Sequence, residues 1–253
     1  MTTTYPGLEE NPIPRWNLLD ALLIGAVSIV IIFIGFFVIG SVTEFIQWQP
    51  EAKDTTPYPL VIAIIALEGF GILAGIYLLG IARKKISLKD LGAVKPSLSW
   101  LKKAAVAAIL MIPVMGFIAA IIQMLLGLPP NNPQLEFIVP ADFSYITAVV
   151  MLVVAGFFVP LAEELYFRGV LYSALRNHFG IGIGAIVSSL IFGALHGDIS
   201  IAGATFVMGL VLAYFYEKSR SIWPSVLIHA LNNSLKLAAI YILLAFGGDI
   251  PGL

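Results

Sequence analysis

The sequence predicts an all-α fold: a polytopic transmembrane helix bundle of about seven to eight spans. Of its 253 residues, 59% are hydrophobic and 11% are charged, whereas about a quarter of the residues in soluble domains are charged. The mean hydropathy is +0.97. Apolar stretches of about 20 residues recur along the chain, which is the length a helix needs to cross a bilayer. We therefore expect an integral multi-pass protein, in the plasma membrane of a prokaryote.

The composition also limits the chemistry. The formal net charge of −1 leaves no excess of cations for a phosphate backbone, so we expect no nucleic-acid partner. The chain has no cysteine, which excludes disulfides, a thiol nucleophile and thiolate metal ligands. The apolar segment after the polar residues 1–15 is too long for a signal-peptide core, and we expect it to be a retained span.

The apolar stretches predict seven helices, separated by stretches rich in proline, glycine and charge. In chain order they lie at residues 18–43, 59–82, 101–128, 145–168 with an extension to about 177, 181–197, 199–217 and 222–247. Proline at position 160 is expected to kink the fourth helix or to start a new one. We divide the chain into a polar tail (1–15), N-terminal transmembrane helices (16–144) and a C-terminal helical core (145–247), within a single membrane domain.

The basic residues predict the orientation, because short cytoplasmic loops are enriched in Lys and Arg. The 83–103 loop contains Arg83, Lys84, Lys85, Lys89, Lys95, Lys102 and Lys103. We expect this loop on the cytoplasmic side, together with the turns near Arg176 and at Lys218 and Arg220.

Charged and polar side chains inside the expected spans are the main functional candidates. An ionised group at the bilayer centre costs about 2.5–3.5 kcal/mol on insertion scales, so such groups usually face a protein interior or a cavity. The set is Glu68, Glu163, Glu164, Arg168, His196, His229, Asn232 and Asn233. Glu68 matches no motif, and we expect it to be a buried hydrogen-bonding group. Asn232 is interpreted as a packing residue.

Glu163 and Glu164 are adjacent in the stretch PLAEELYFRG. Glu164 and Arg168 are four residues apart, so their side chains can pair on one helix face. Glu163 is rotated by about 100° from Glu164 and cannot share this arginine equally. We therefore expect Arg168 to keep Glu164 ionised, and Glu163 to be the candidate general base.

His196, in the stretch FGALH, is the second candidate for acid–base chemistry. It lies about as far beyond the turn at NHFGIG as Glu163 lies before it, which puts both at one depth in an antiparallel hairpin, about 24 Å from the turn. Beside it, small residues at four-residue spacing let a neighbouring helix approach closely. They are Ala185, Ser189, Gly193 and Gly197.

The last helix contains HALNN, with His229 and Asn233 four residues apart on one face. An imidazole N–H and an amide NH₂ that face a cavity could stabilise an oxyanion. His229 could instead bind a metal. Both interpretations stay open at this point.

The stretches EELYFR, FGALH and HALNN match, in order and spacing, the E-E-x-x-x-R, F-x-x-x-H and H-x-x-x-N motifs of the CPBP intramembrane proteases. This family includes the type II CaaX prenyl endopeptidases and bacteriocin-processing or immunity proteins, and the resemblance covers about residues 145–240. It implies a membrane-embedded endopeptidase in which Glu163 and His196 activate water. Glu164 and Arg168 would support these two residues. His229 and Asn233 would hold the oxyanion.

A divalent metal such as zinc is an open alternative, with Glu163, His196 and His229 as its ligands. The helix-borne H-E-x-x-H motif of zinc peptidases is absent, so we favour a water activated by glutamate. The expected partners are a membrane-anchored peptide or protein, either a CaaX-type prenylated protein or a leader peptide, and the lipid bilayer. Two other functions compete with this interpretation: a proton-coupled membrane transporter, and a non-catalytic membrane scaffold or immunity protein.

Overall fold

The computed structural model describes residues 16–45, 58–130, 132–140 and 144–248, so the predicted tail at residues 1–15 lies outside the described part. Eight helices form this part, with a single 3₁₀ turn at Lys89–Leu91 and no strand. The helices are α1 (Leu18–Phe45), α2 (Tyr58–Arg83), α3 (Leu98–Leu126), α4 (Pro133–Ile138), α5 (Tyr145–Phe179), α6 (Ile181–Ala194), α7 (Ile199–Ser219) and α8 (Trp223–Ala245). The predicted all-α membrane fold is confirmed.

The number of spans is slightly lower than predicted. Within the described residues, six helices are long and apolar enough to cross a membrane, namely α1, α2, α3, α5, α7 and α8. Helix α6 has only 14 residues, a length of about 21 Å against a hydrocarbon core of about 30 Å. It ends at Ala194 and not at residue 197, because the chain turns there and Gly197 adopts a left-handed φ of +78°.

The outer surface of the bundle is apolar, as contact with lipid requires. Only 11% of the α1 span and 17% of the α3 span are buried inside the protein. Phe37 on α1 and Phe117 on α3 are 75% and 67% exposed. A soluble monomer rarely exposes apolar patches of this extent.

Contacts at the two ends of the bundle are consistent with the predicted alternation of the spans. At one end Lys84 pairs with Asp20, and the Ser221 hydroxyl donates to the Val94 carbonyl at 2.6 Å. The predicted basic loop and the α7–α8 turn therefore lie together. At the other end the Tyr58 hydroxyl donates to the carbonyl of Ile138 at 2.8 Å.

Helices α6 and α7 cross closely through the predicted small residues. A Cβ atom added to Gly193 would lie 2.5 Å from the carbonyl oxygen of Ala202 on α7. A Cβ atom added to Gly209 would lie 2.8 Å from the Cβ atom of Ser189. These contacts leave no room for larger side chains, so small residues hold the short helix α6 against α7.

Candidate active site

Pro160 lies inside α5, and helix α8 compensates for the hydrogen bond that this proline cannot make. Proline has no backbone N–H, so the carbonyl of Gly156 does not receive the usual bond from residue 160. The Ser234 hydroxyl on α8 donates to that carbonyl at 3.2 Å. The Asn233 amide donates to the preceding carbonyl, of Ala155, at 3.4 Å. Helix α5 continues through Pro160, and the two bonds fix α8 beside the acidic pair that follows.

The segments of α5 that flank the acidic pair are π-helical. They are Val154–Phe158 and Leu165–Tyr172, with the α-helical turn Val159–Glu164 between them. Insertions of π geometry are rare and occur often at functional sites, where they change the direction of side chains.

Glu164 is fully buried, and its Oε1 atom accepts a hydrogen bond from Arg168 Nη1 at 2.9 Å. Arg168 is 2% exposed, and its Nη2 donates to the carbonyl of Gly209 on α7 at 3.2 Å. The predicted ion pair is therefore present, and it joins α5 to α7. Since the desolvation of two charges is costly, these hydrogen bonds are needed to hold the pair in the core.

His229 connects Glu164 with Glu163. Its Nδ1 atom lies 2.9 Å from Glu164 Oε1, the same oxygen that accepts from Arg168. That carboxylate is an acceptor, so Nδ1 carries the proton. The other ring nitrogen, Nε2, lies 3.6 Å from Glu163 Oε2, which is too far for a direct hydrogen bond. Glu164 thus orients the imidazole, and its second nitrogen faces the candidate base.

His196 lies in the turn after α6 and is half-buried. Its Nδ1 atom is 2.9 Å from the carbonyl oxygen of Phe192. A carbonyl only accepts, so in the neutral ring Nδ1 carries the proton and Nε2 is left as an acceptor. The turn is closed by Asp198, which caps α7, and hydrogen bonds from the Ser200 hydroxyl and the Ile201 N–H hold the pKa of Asp198 below its usual value.

The predicted register of the α5–α6 hairpin is observed at two levels. Gly184 packs against the backbone of Arg176, and the Arg168 guanidinium lies 4.6 Å from the ring centroid of Phe192. The residues of each pair are equally far from Gly180. Helix α6 ends at Ala194, so the level of His196 relative to the acidic pair stays a prediction.

Phe192 lies between the groups that the motifs predict to act together. Its ring centroid is 5.1 Å from that of His196 and 5.6 Å from that of His229. No direct hydrogen bond joins His196 to Glu163 among the residues that the structure describes. Any cooperation between these two residues therefore needs a water molecule or the substrate between them.

The predicted oxyanion pair is only partly available in this geometry. Asn233 uses one N–H for the Ala155 carbonyl and keeps the second, because its amide carries two. With the His229 proton on Nδ1, Nε2 accepts and does not donate. His229 can stabilise an oxyanion only as an imidazolium, a form in which both nitrogens donate and both face carboxylates.

The three residues predicted as metal ligands do not form a metal site. Within the described ranges, no group of three His, Cys, Asp or Glu side chains is arranged to hold an ion. The described donor set therefore does not support the alternative interpretation as a metalloprotease.

Three further polar residues in the spans belong to none of the motif positions. Lys236 on α8 is missing from the predicted set, although a lysine seven residues after His229 in a span is a signal in itself. Glu68 was expected to be buried, but its side chain is exposed on the α2 face that also carries the buried Val61 and Ile72. Asn232 is fully buried, and neither of its polar side-chain atoms has a partner in the described part of the chain.

Comparisons with known proteins find similarity in the C-terminal part of the chain. Residues 145–235 match the family described as "Type II CAAX prenyl endopeptidase Rce1-like". A protein of Bacillus subtilis (strain 168), named "Putative membrane peptidase YdiL", is 29% identical over 84 residues. That similarity covers 33% of this chain and 34% of the relative, so the chain matches about a third of the relative's length. No solved structure gives a significant match.

Proposed function

We propose that this chain is an intramembrane endopeptidase of the CPBP type, and the match of residues 145–235 to the type II CAAX prenyl endopeptidase Rce1-like family supports the proposal. It hydrolyses a peptide bond of a membrane-associated substrate, with Glu163 as the base that activates water. The match ends before residue 236 and does not include α1–α3, so the proposal for the whole protein rests on the site itself.

The observation that carries the proposal is the buried chain of contacts from Arg168 through Glu164 to His229, which ends 3.6 Å from Glu163. A structural ion pair would be complete with Arg168 and Glu164 alone. Here the carboxylate also orients an imidazole whose free nitrogen faces a second carboxylate that has no hydrogen-bonded partner among the described residues. An imidazole that is oriented by a hydrogen-bonded carboxylate and faces a reactive group is an arrangement that hydrolytic sites use repeatedly.

In the proposed reaction, a water molecule lies between Glu163 and Nε2 of His196. Glu163 takes a proton from the water as its oxygen bonds to the scissile carbonyl carbon. The carbonyl oxygen becomes an oxyanion, which the free N–H of Asn233 stabilises, and His229 adds a second donor only after its Nε2 has taken up a proton from solvent. The C–N bond then breaks, and the leaving amine receives the proton that Glu163 took.

The substrate is proposed to be anchored in the membrane, because the catalytic residues lie within the helices. A CaaX-type prenylated protein and a leader peptide both meet this condition. In either case the scissile segment has to enter between helices and be unwound, since a helical backbone hides its carbonyl groups in internal hydrogen bonds. The site is proposed to open to the cytoplasmic side of a prokaryotic plasma membrane.

The test is hydrolysis by the protein reconstituted in lipid vesicles, with products identified by mass spectrometry. Glu163→Gln keeps the shape of the side chain but removes the base, and we expect cleavage to fall by at least about 100-fold. Glu68→Gln is the matched control, because it removes a carboxylate from the neighbouring helix α2 while leaving the proposed base in place. The melting temperature in detergent verifies that both variants fold. Wild-type activity in folded Glu163→Gln would refute the proposed role.

A further inference from the structure

Lys236 lies on the helix face that carries the catalytic residues of α8. Residues 229, 233 and 236 are spaced i, i+4 and i+7, so their side chains emerge within about 60° of one another around the helix. Lys236 thus continues the line of His229 and Asn233 by one further turn. Its side chain is half-buried and reaches Met115 on α3, inside the bundle.

This lysine has no counter-charge within the ranges that the structure describes. Its Nζ atom approaches the sulfur of Met115 on α3 at 3.9 Å, and no carboxylate there lies within ion-pair distance. A thioether is only a weak acceptor. An ammonium group in a span is costly to keep without a partner, and ionisable groups inside membranes usually pair or mark the path of a ligand. An anion from another molecule would supply the charge that the described residues do not.

The position of Lys236 favours the substrate over lipid as the source of that anion. Along α8 the residue is about 20 Å from Trp223 and about 14 Å from Ala245, at about 1.5 Å per residue. Lipid phosphates lie outside a hydrocarbon core of about 30 Å, beyond the reach of a lysine at this depth. The carboxyl groups of Glu163 and Glu164 on α5, and of Glu68 on α2, disfavour an anion on the α2–α5 side.

We propose that Lys236 binds a carboxylate of the substrate, and so determines which peptides are cleaved and which end of the bound peptide points along α8. The inference rests on the proposed peptidase function and deepens it. From His229 to Lys236 the distance along α8 is about 10 Å, and an extended peptide advances about 3.4 Å per residue. The carboxylate is therefore within about three residues of the scissile bond, and it belongs either to the chain terminus or to an Asp or Glu side chain.

The test is a cycle of enzyme and substrate changes with the full-length protein in vesicles. One pair of prenylated peptides carries a terminal carboxylate or a terminal amide. A second pair, with amidated termini, carries Glu or Gln within three residues of the cleaved bond. Each peptide is assayed with wild type, with Lys236→Met, which keeps the length of the side chain, and with Lys236→Arg, which keeps the charge.

For wild type we expect kcat/KM to fall by about 10- to 100-fold when the recognised carboxylate is neutralised, because hydrogen bonds to charged groups are strong. Lys236→Met should cleave both members of that pair at the slower rate, and Lys236→Arg should keep most of the discrimination. The pair that discriminates identifies the source of the carboxylate. Lys236→Met should fold, since it removes a charge that has no described partner, and its melting temperature should equal or exceed that of wild type.

The inference is overturned if active wild type and Lys236→Met discriminate equally, or if neither peptide pair is discriminated. It is also overturned if Lys236→Met changes only the response to anionic lipid in vesicles with and without phosphatidylglycerol, which would identify a lipid phosphate as the ligand. If wild type cleaves none of the peptides while its melting behaviour is normal, the proposed function itself fails for this substrate class, and the inference fails with it.

Discussion

Replacing Arg168 by alanine tests whether the buried ion pair holds the site together. Arg168 is 2% exposed and Glu164 is fully buried, and one bond between them measures 2.9 Å. Arg168→Ala leaves the Glu164 carboxylate in the core with only His229 as a partner, and it frees the carbonyl of Gly209. The loss therefore includes the desolvation cost of the remaining charge as well as the contact.

Removing one partner of a buried ion pair destabilises proteins by about 3–5 kcal/mol. We expect a loss of this size in the free energy of unfolding, measured by denaturant titration in detergent. The matched control is Arg220→Ala, because Arg220 also pairs with a glutamate on its own helix turn but is 43% exposed. An exposed pair contributes about 0–1 kcal/mol.

A loss below about 1 kcal/mol for Arg168→Ala, equal to that of Arg220→Ala, would contradict the account of the ion pair. A measurement on the double variant Arg168→Met with Glu164→Leu separates the causes. If the stranded charge dominates the cost, removing both partners should recover much of the lost stability, because apolar side chains of similar volume can replace a buried pair. Cleavage should be lost in both variants, since His229 would no longer be oriented.

Three other predictions follow from the packing, the donor set and the orientation. Gly209→Ala should destabilise the protein by about 1–3 kcal/mol, because its Cβ atom would meet Ser189 at 2.8 Å. Gly116→Ala is the control and should not destabilise it, because Gly116 has open space around it. Equal melting temperatures for the two variants would contradict the close crossing of α6 and α7. Metal chelators should leave the hydrolysis rate unchanged. A loss of activity that zinc restores would show that the reaction uses a metal ion. On this naturally cysteine-free chain, an impermeant thiol reagent should label Lys95→Cys from the cytoplasm and Pro130→Cys from the opposite side, and the reverse pattern would invert the topology.

Most of the fold could be predicted from the sequence, because the bilayer imposes one length and one polarity on every span. Those constraints predicted α1, α2, α3, α5, α7 and α8 nearly to their ends. The end of α6 was missed because hydropathy does not register a turn: the apolar run continues past Ala194, while the backbone leaves the helix before Gly197.

Contacts within one helix or one hairpin could also be predicted. The spacing of Glu164 and Arg168 predicted their ion pair, and the short turn predicted the register by which Gly184 packs against Arg176. Contacts between distant helices could not be read in this way. The bond from His229 to Glu164 depends on how α8 packs against α5, and the sequence does not encode that packing locally.

The partners of Pro160 show the same limit. The sequence alone shows that Pro160 leaves a carbonyl without its usual donor. It does not show that Asn233 and Ser234, on a distant helix, supply donors there. The assignment of Asn233 to the oxyanion alone was therefore incomplete, since one of its N–H groups is used for structure. Lys236 was missed for a different reason: it belongs to none of the three motifs, and it gains significance because no carboxylate pairs with it in the described part of the chain.

The central claim is that Glu163 activates water for peptide-bond hydrolysis in the membrane. The most direct measurement compares the peptide termini in membranes from cells that produce wild type with those from cells that produce Glu163→Gln at the same level. Digestion of the purified substrates in ¹⁸O-labelled water then shows whether each new carboxyl group contains an oxygen atom from water. The account predicts a set of labelled termini from membrane-anchored proteins that depends on Glu163. Identical termini in both samples would contradict it.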